Sequence, residues 1–92
     1  MAKRALKVGQ VKAVGKAKAG QRLTARTTGW RPSPVRFRYR WLRDGKVVRG
    51  ATKAFYKLRK ADRGTVIKVR VTAIKASYLS VIKTSRGRKI AR

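Results

Sequence analysis

Phe37-Arg38-Tyr39-Arg40-Trp41-Leu42-Arg43-Asp44-Gly45 alternates aromatic residues with arginines and then runs into an Asp-Gly pair. On a strand, successive side chains point to opposite faces, so Phe37, Tyr39 and Trp41 face a core while Arg36, Arg38 and Arg40 face out. A period of two argues against a helix here. Asp44-Gly45 supplies the positive-φ residues of a tight hairpin turn. The stretch therefore predicts the central strand of a small all-β domain, with a fold-forming inner face and a cationic outer face.

Working outward, the chain keeps the same grammar. Val11 to Gly15 reads as a short strand, and Gln21 to Thr28 as another, with Leu23 and Ala25 inward. Residues 29–34, Gly29-Trp30-Arg31-Pro32-Ser33-Pro34, form a loop, because proline cannot serve a central ladder. Lys46 to Val48 and Ala54 to Arg59 are short strands. Thr65 to Lys75 is the longest alternation, Ile67, Val69, Val71 and Ala73 against Lys68, Arg70 and Thr72, and Leu79 to Thr84 is the last strand. Short strands punctuated by turns at this spacing predict a sandwich or barrel. Residues 1–10 read as a basic arm or lead-in strand, 11–85 as the domain, and 86–92 as a basic tail.

The chain has 92 residues, 28 Lys plus Arg, 2 Asp plus Glu and a formal net charge of +26. An ordinary domain of this length carries roughly ten acids. The two that remain, Asp44 and Asp62, sit beside Gly45 and Gly64 in turns, where aspartate is useful for local backbone hydrogen bonds. So one-sided a charge favours acidic partners: a capsid or other protein surface, a cell-wall polymer, nucleic acid or anionic lipid.

Catalysis lacks an inventory. There is no His or Cys, so a nucleophile such as Ser80 has no customary base, and metal-ligand clusters are missing. No cofactor is expected. Val8 to Lys16 superficially imitates a phosphate loop, but Ala17 stands where Ser or Thr is required and strand signals follow. The N-terminal residues are basic without a following apolar run, so no signal peptide is read. No stretch approaches a membrane span. The expected setting is a cytoplasmic product, with assembly into a virion as one destination, or secretion if the chain is a mature fragment.

Several motifs together resemble the immunoglobulin-like repeats of actinobacterial secreted and wall-associated proteins and of some phage structural proteins. They are Val8-Gly9 or Ala19-Gly20-Gln21-x-Leu23-Thr24-Ala25, Gly29-Trp30-x-Pro32-x-Pro34, Tyr39-x-Trp41-Leu42-Arg43-Asp44-Gly45, Gly50-Ala51-Thr52, Tyr56-x-Leu58, Asp62-x-Gly64 and Val69-x-Val71-Thr72-Ala73. The resemblance implies an immunoglobulin-like antiparallel β-sandwich of about seven strands, Trp41 as core tryptophan, and a non-catalytic spacer or binding role. In those repeats uncharged polar residues are commoner at Arg36, Arg38 and Arg40, and a glycine is usual at Ser77.

In such a sandwich the strand bearing Arg36, Arg38 and Arg40 pairs with the one bearing Lys68 and Arg70. Those five cations are the candidate polyanion-binding site. Like charges opposed across strands are unfavourable, so their collection on one face points to a counter-charge. A second cluster (Lys12, Lys16, Lys18, Arg22, Arg26, Lys57, Arg59) is expected over the other sheet. Trp30, in a loop, and Phe55, on outward parity beside Lys57, are the candidate partner-contacting aromatics. Three functions stay open: a structural module docking on an acidic capsid or wall surface, a sequence-nonspecific nucleic-acid binder, or an engineered supercharged scaffold.

Overall fold

The computed structural model describes residues 4–32 and 34–92. Residues 1–3 of the expected arm and Ser33 of the expected loop lie outside the described residues.

Among the described residues eight strands follow one another: β1 (Gln10–Val14), β2 (Arg22–Thr28), β3 (Arg36–Arg43), β4 (Lys46–Val47), β5 (Phe55–Lys57), β6 (Val66–Ile74), β7 (Val81–Thr84) and β8 (Arg88–Lys89). A 3₁₀ turn, Lys60–Asp62, separates β5 from β6. No helix of the described residues is long and apolar enough to cross a membrane. The protein is all-β. One sheet has the order β1-β2-β5 and the other β4-β3-β6-β7, with β8 also on β6, and every strand pair is antiparallel.

Both sheets contribute to one core, an arrangement compatible with a β-sandwich. Val11, Ala13, Leu23 and Tyr56 come from the first sheet, and Trp41, Ile67, Val69, Val71 and Ala73 from the second. Trp41 is fully enclosed; its indole Nε1–H donates to the Lys53 carbonyl at 2.8 Å and its ring stacks on Tyr56 with centroids 5.7 Å apart. The alternation in β3 places Phe37 and Tyr39 inward as expected, though both are only half-buried. At the hairpin, Asp44 and Gly45 take φ of 48° and 83°, the pair of positive values a tight turn requires.

The chain ends are more engaged than their composition suggests. Leu6 is buried, and Arg4 and Lys7 make bridges to Tyr78 and Arg31. The stretch expected as a basic tail supplies β8 and the buried Ile90. A bulge lies between β7 and β8: Thr84 faces Arg70 and Arg88 faces Ile67, so the β7–β8 side carries one residue more. Ser85 manages it by donating its backbone N–H to the Val69 carbonyl while its Oγ accepts the Val69 N–H at 3.0 Å.

Candidate polyanion-binding faces

The β3–β6 ladder decides which cations share a face, because residues directly opposite point to the same side. Arg36 faces Ile74, Arg38 faces Thr72, Arg40 faces Arg70, and Leu42 faces Lys68. All five candidate cations therefore occupy the outer face of the β4-β3-β6-β7 sheet. Arg36, Arg38, Arg40 and Arg70 are exposed, and Lys68 is half-buried. Among the described residues none of the five uses its side chain in a hydrogen bond or ion pair within the protein.

The face is less uniformly cationic than the sequence suggests. Only Arg40 and Arg70 are directly opposed like charges; the other three face Ile74, Thr72 and Leu42. Ile82, opposite Thr72 on β7, is 66 % exposed on the same face. Leu42 is buried although its parity is outward, and it stands apart from the main core. Its face neighbours by register are Arg40, Val47 and Lys68, long or branched side chains whose alkyl parts can cover a leucine while a charged head stays in water. Lys68 is held close to the sheet beside Gly87, where an added Cβ would lie 3.4 Å from the Lys68 Cε.

The second sheet also presents cations. Lys12 faces Arg26, and Arg22 faces Lys57, on its outer side. Phe55 joins that face opposite Thr24, 40 % exposed, with the Arg22 guanidinium 4.3 Å from its ring centroid. Of the two candidate aromatics, Phe55 is thus open to a partner. Trp30 is not. The Gly29–Trp30 segment folds inward, so the Trp30 indole is buried, meets Phe37 edge-on at 5.6 Å and donates to the Gln10 carbonyl at 3.3 Å. A loop tryptophan with a partner for its N–H is as well suited to closing a core as to binding.

The two acids are held differently. Asp62 is fully buried: Oδ1 accepts Arg43 Nε at 2.6 Å, while Oδ2 accepts the Tyr56 hydroxyl at 2.8 Å and the Arg59 amide at 2.7 Å. Burial pushes its carboxyl up, but these three hydrogen bonds and the Arg43 charge more than offset that, holding it below the usual carboxylate value. Burial, and then the bond to Asp62, raises the Tyr56 phenol; the same carboxylate raises Arg43. Asp44 Oδ1 accepts the Val66 N–H at 2.9 Å. Asp62 is thus absorbed by the fold, while Asp44 stays exposed at the hairpin with one oxygen bonded. The role of Asp62 was hidden in the sequence because Arg43 and Tyr56 are 19 and 6 residues away from it.

No protein-family model matches the chain, and no curated protein or solved structure matches it either.

Proposed function

We propose that the protein is a non-catalytic, immunoglobulin-like module that docks electrostatically on an acidic macromolecular surface, such as a virion capsid that it decorates or a wall polyanion. The observation that carries this reading is the outer face of β3 and β6, where five cations gather without a side-chain partner among the described residues. The sheet fixes where these side chains begin and so concentrates positive charge on one face. The exposed Ile82 beside them suits contact with a folded surface.

The immunoglobulin-like part of the reading draws on connectivity. The orders β1-β2-β5 and β4-β3-β6-β7 put strands two and five on one sheet and three, six and seven on the other, the division found in that fold. Ser77 takes φ of 68°, a value that favours glycine, at the position where the resembling repeats usually carry one.

A second reading, sequence-nonspecific nucleic-acid binding, is favoured by the cations on the outer face of the other sheet, which leave positive charge on both sides. Binding to a 20-base-pair duplex and to polyglutamate, each across a salt series, separates the two. We compare the protein with two five-fold variants: Arg36, Arg38, Arg40, Lys68 and Arg70 to Gln, and Lys7, Lys12, Lys16, Lys18 and Lys89 to Gln. Docking through a shaped face predicts a polyglutamate affinity at least tenfold weaker in the first variant than in the second. It also predicts duplex binding that fades by about 0.15 M salt. Equal losses in the two variants overturn the face. Tight duplex binding at that salt, with a steep salt slope, favours the nucleic-acid reading.

A further inference from the structure

The edge of β5 offers a different kind of site. β5 is the last strand of its sheet and, among the described residues, pairs only with β2. In an antiparallel pair alternate residues bond to the partner strand and those between turn their backbone groups away. Leu23 and Tyr56 are opposite one another; the Ala25 N–H donates to the Ala54 carbonyl and the Leu58 N–H to the Gln21 carbonyl. Positions 54, 56 and 58 therefore serve β2. The N–H and C=O groups of Phe55 and Lys57 point the other way, towards the open side.

A groove lies at β5, lined by Phe55, Tyr56 and Lys57. Gly50, Ala51 and Thr52 form part of one wall, small residues that let a backbone approach, and Lys53, Lys57, Lys60 and Arg63 line it with positive charge. Among the described residues none of these four cations makes a side-chain hydrogen bond. The only acid nearby in sequence, Asp62, is buried beneath the groove with both oxygens engaged. Phe55, with Arg22 on its ring, offers an apolar contact at the same strand.

We propose that the β5 edge binds an extended acidic peptide segment, which adds to the β1-β2-β5 sheet as a further strand. The alternating donors and acceptors of Phe55 and Lys57 match a peptide backbone, whereas a phosphodiester chain brings acceptors only and leaves the two carbonyls unanswered. Main-chain pairing sets the register, and the surrounding cations select acidic side chains. This site is separate from the β3–β6 face and stands or falls independently of it.

The test uses the whole chain and a 12-residue peptide of alternating Glu and Thr, with 12-mer oligothymidylate as competitor probe. Peptide binding should slow amide exchange at Phe55 and Lys57 at least tenfold. Lys57→Pro removes an outward N–H without touching the ladder to β2, and should weaken peptide binding at least tenfold. Should that variant fail to fold, the triple charge reversal Lys53→Glu, Lys57→Glu, Lys60→Glu decides, with the same expected loss. Unchanged exchange at Phe55 and Lys57 overturns the proposal, as does equal protection by the oligonucleotide. So does peptide binding that survives in the β5 variants and is lost only when Arg36, Arg38, Arg40, Lys68 and Arg70 become Gln.

Discussion

The two open sides of the β1-β2-β5 sheet use the same residue types in opposite ways. Along β1, the Lys83 ammonium donates to the Gly9 carbonyl at 2.6 Å, and Arg88 donates to the Ala13 and Gly15 carbonyls at 2.7 Å each. Lys83 and Arg88 lie opposite Val71 and Ile67, at inward-pointing positions, and reach across from one sheet edge to cap the other. Along β5, cations line a groove and make no side-chain hydrogen bond among the described residues; the buried Asp62 carboxylate ties Tyr56 to the Arg59 amide there. Edge strands are hazards that proteins blunt with inward-pointing or capping charges. Here one edge is blunted in that way and the other is left available. A charge total cannot tell a structural cation from a free one; hydrogen-bond partners can.

The harshest way to break this contrast is to remove the carboxylate. Asp62→Ala leaves the buried Tyr56 hydroxyl and the Arg59 amide without an acceptor, while Arg43, about a third exposed, can turn partly to water. Losing one member of a buried ionic cluster is expected to destabilise by about 3 kcal/mol, measured by urea unfolding. The same group sets an acid limit. Its folded pKa lies below the unfolded value, so its contribution is present above the ordinary aspartate range and is lost as pH falls through the depressed value. Stability should decline on the acid side below about pH 4, and Asp62→Asn should flatten that decline. An acid limb that persists unchanged in the variant assigns it elsewhere.

That dependence was out of reach of the sequence, and the reason is physical. Alternation is a local signal, so the inward set Phe37, Tyr39 and Trp41, the set Ile67, Val69, Val71 and Ala73, and the shared face of the five cations were all legible. So was the Asp44-Gly45 turn, whose requirements lie in two adjacent residues. What depended on distant partners was not. Asp62 read as a turn residue, Trp30 as an open loop aromatic, and Ile90 as part of a tail. Lys83 and Arg88 were the hardest, because a cation at inward parity contradicts alternation unless the strand is known to be an edge.

Cutting the β1 caps should have an intermediate effect. Arg88→Met keeps most of the stem that packs at the edge but removes both donors, leaving the Ala13 and Gly15 carbonyls to water. A loss of about 1–2 kcal/mol is expected, and about 1 kcal/mol for Lys83→Met, from the modest net value of hydrogen bonds that solvent can partly replace. Because both hold β1, their coupling can be read from the double variant. If each substitution lies within experimental error of the parent, the caps are incidental and the β1 side is no more closed than the β5 side.

The smallest stability effect belongs to the groove. Changing Lys53, Lys57, Lys60 and Arg63 together to Gln removes no side-chain hydrogen bond among the described residues. Each such surface change is ordinarily worth less than about 0.5 kcal/mol, and lowering a net charge of +26 relieves self-repulsion. The combined variant should therefore match or slightly exceed the parent in urea midpoint, with the margin shrinking as added salt screens the remaining cations. Acidic-peptide affinity should fall in the same variant. Stability retained with binding lost marks these cations as kept for a partner. Should the variant instead unfold as readily as Arg88→Met, they would belong to the fold, and the two edges would differ in geometry but not in kind.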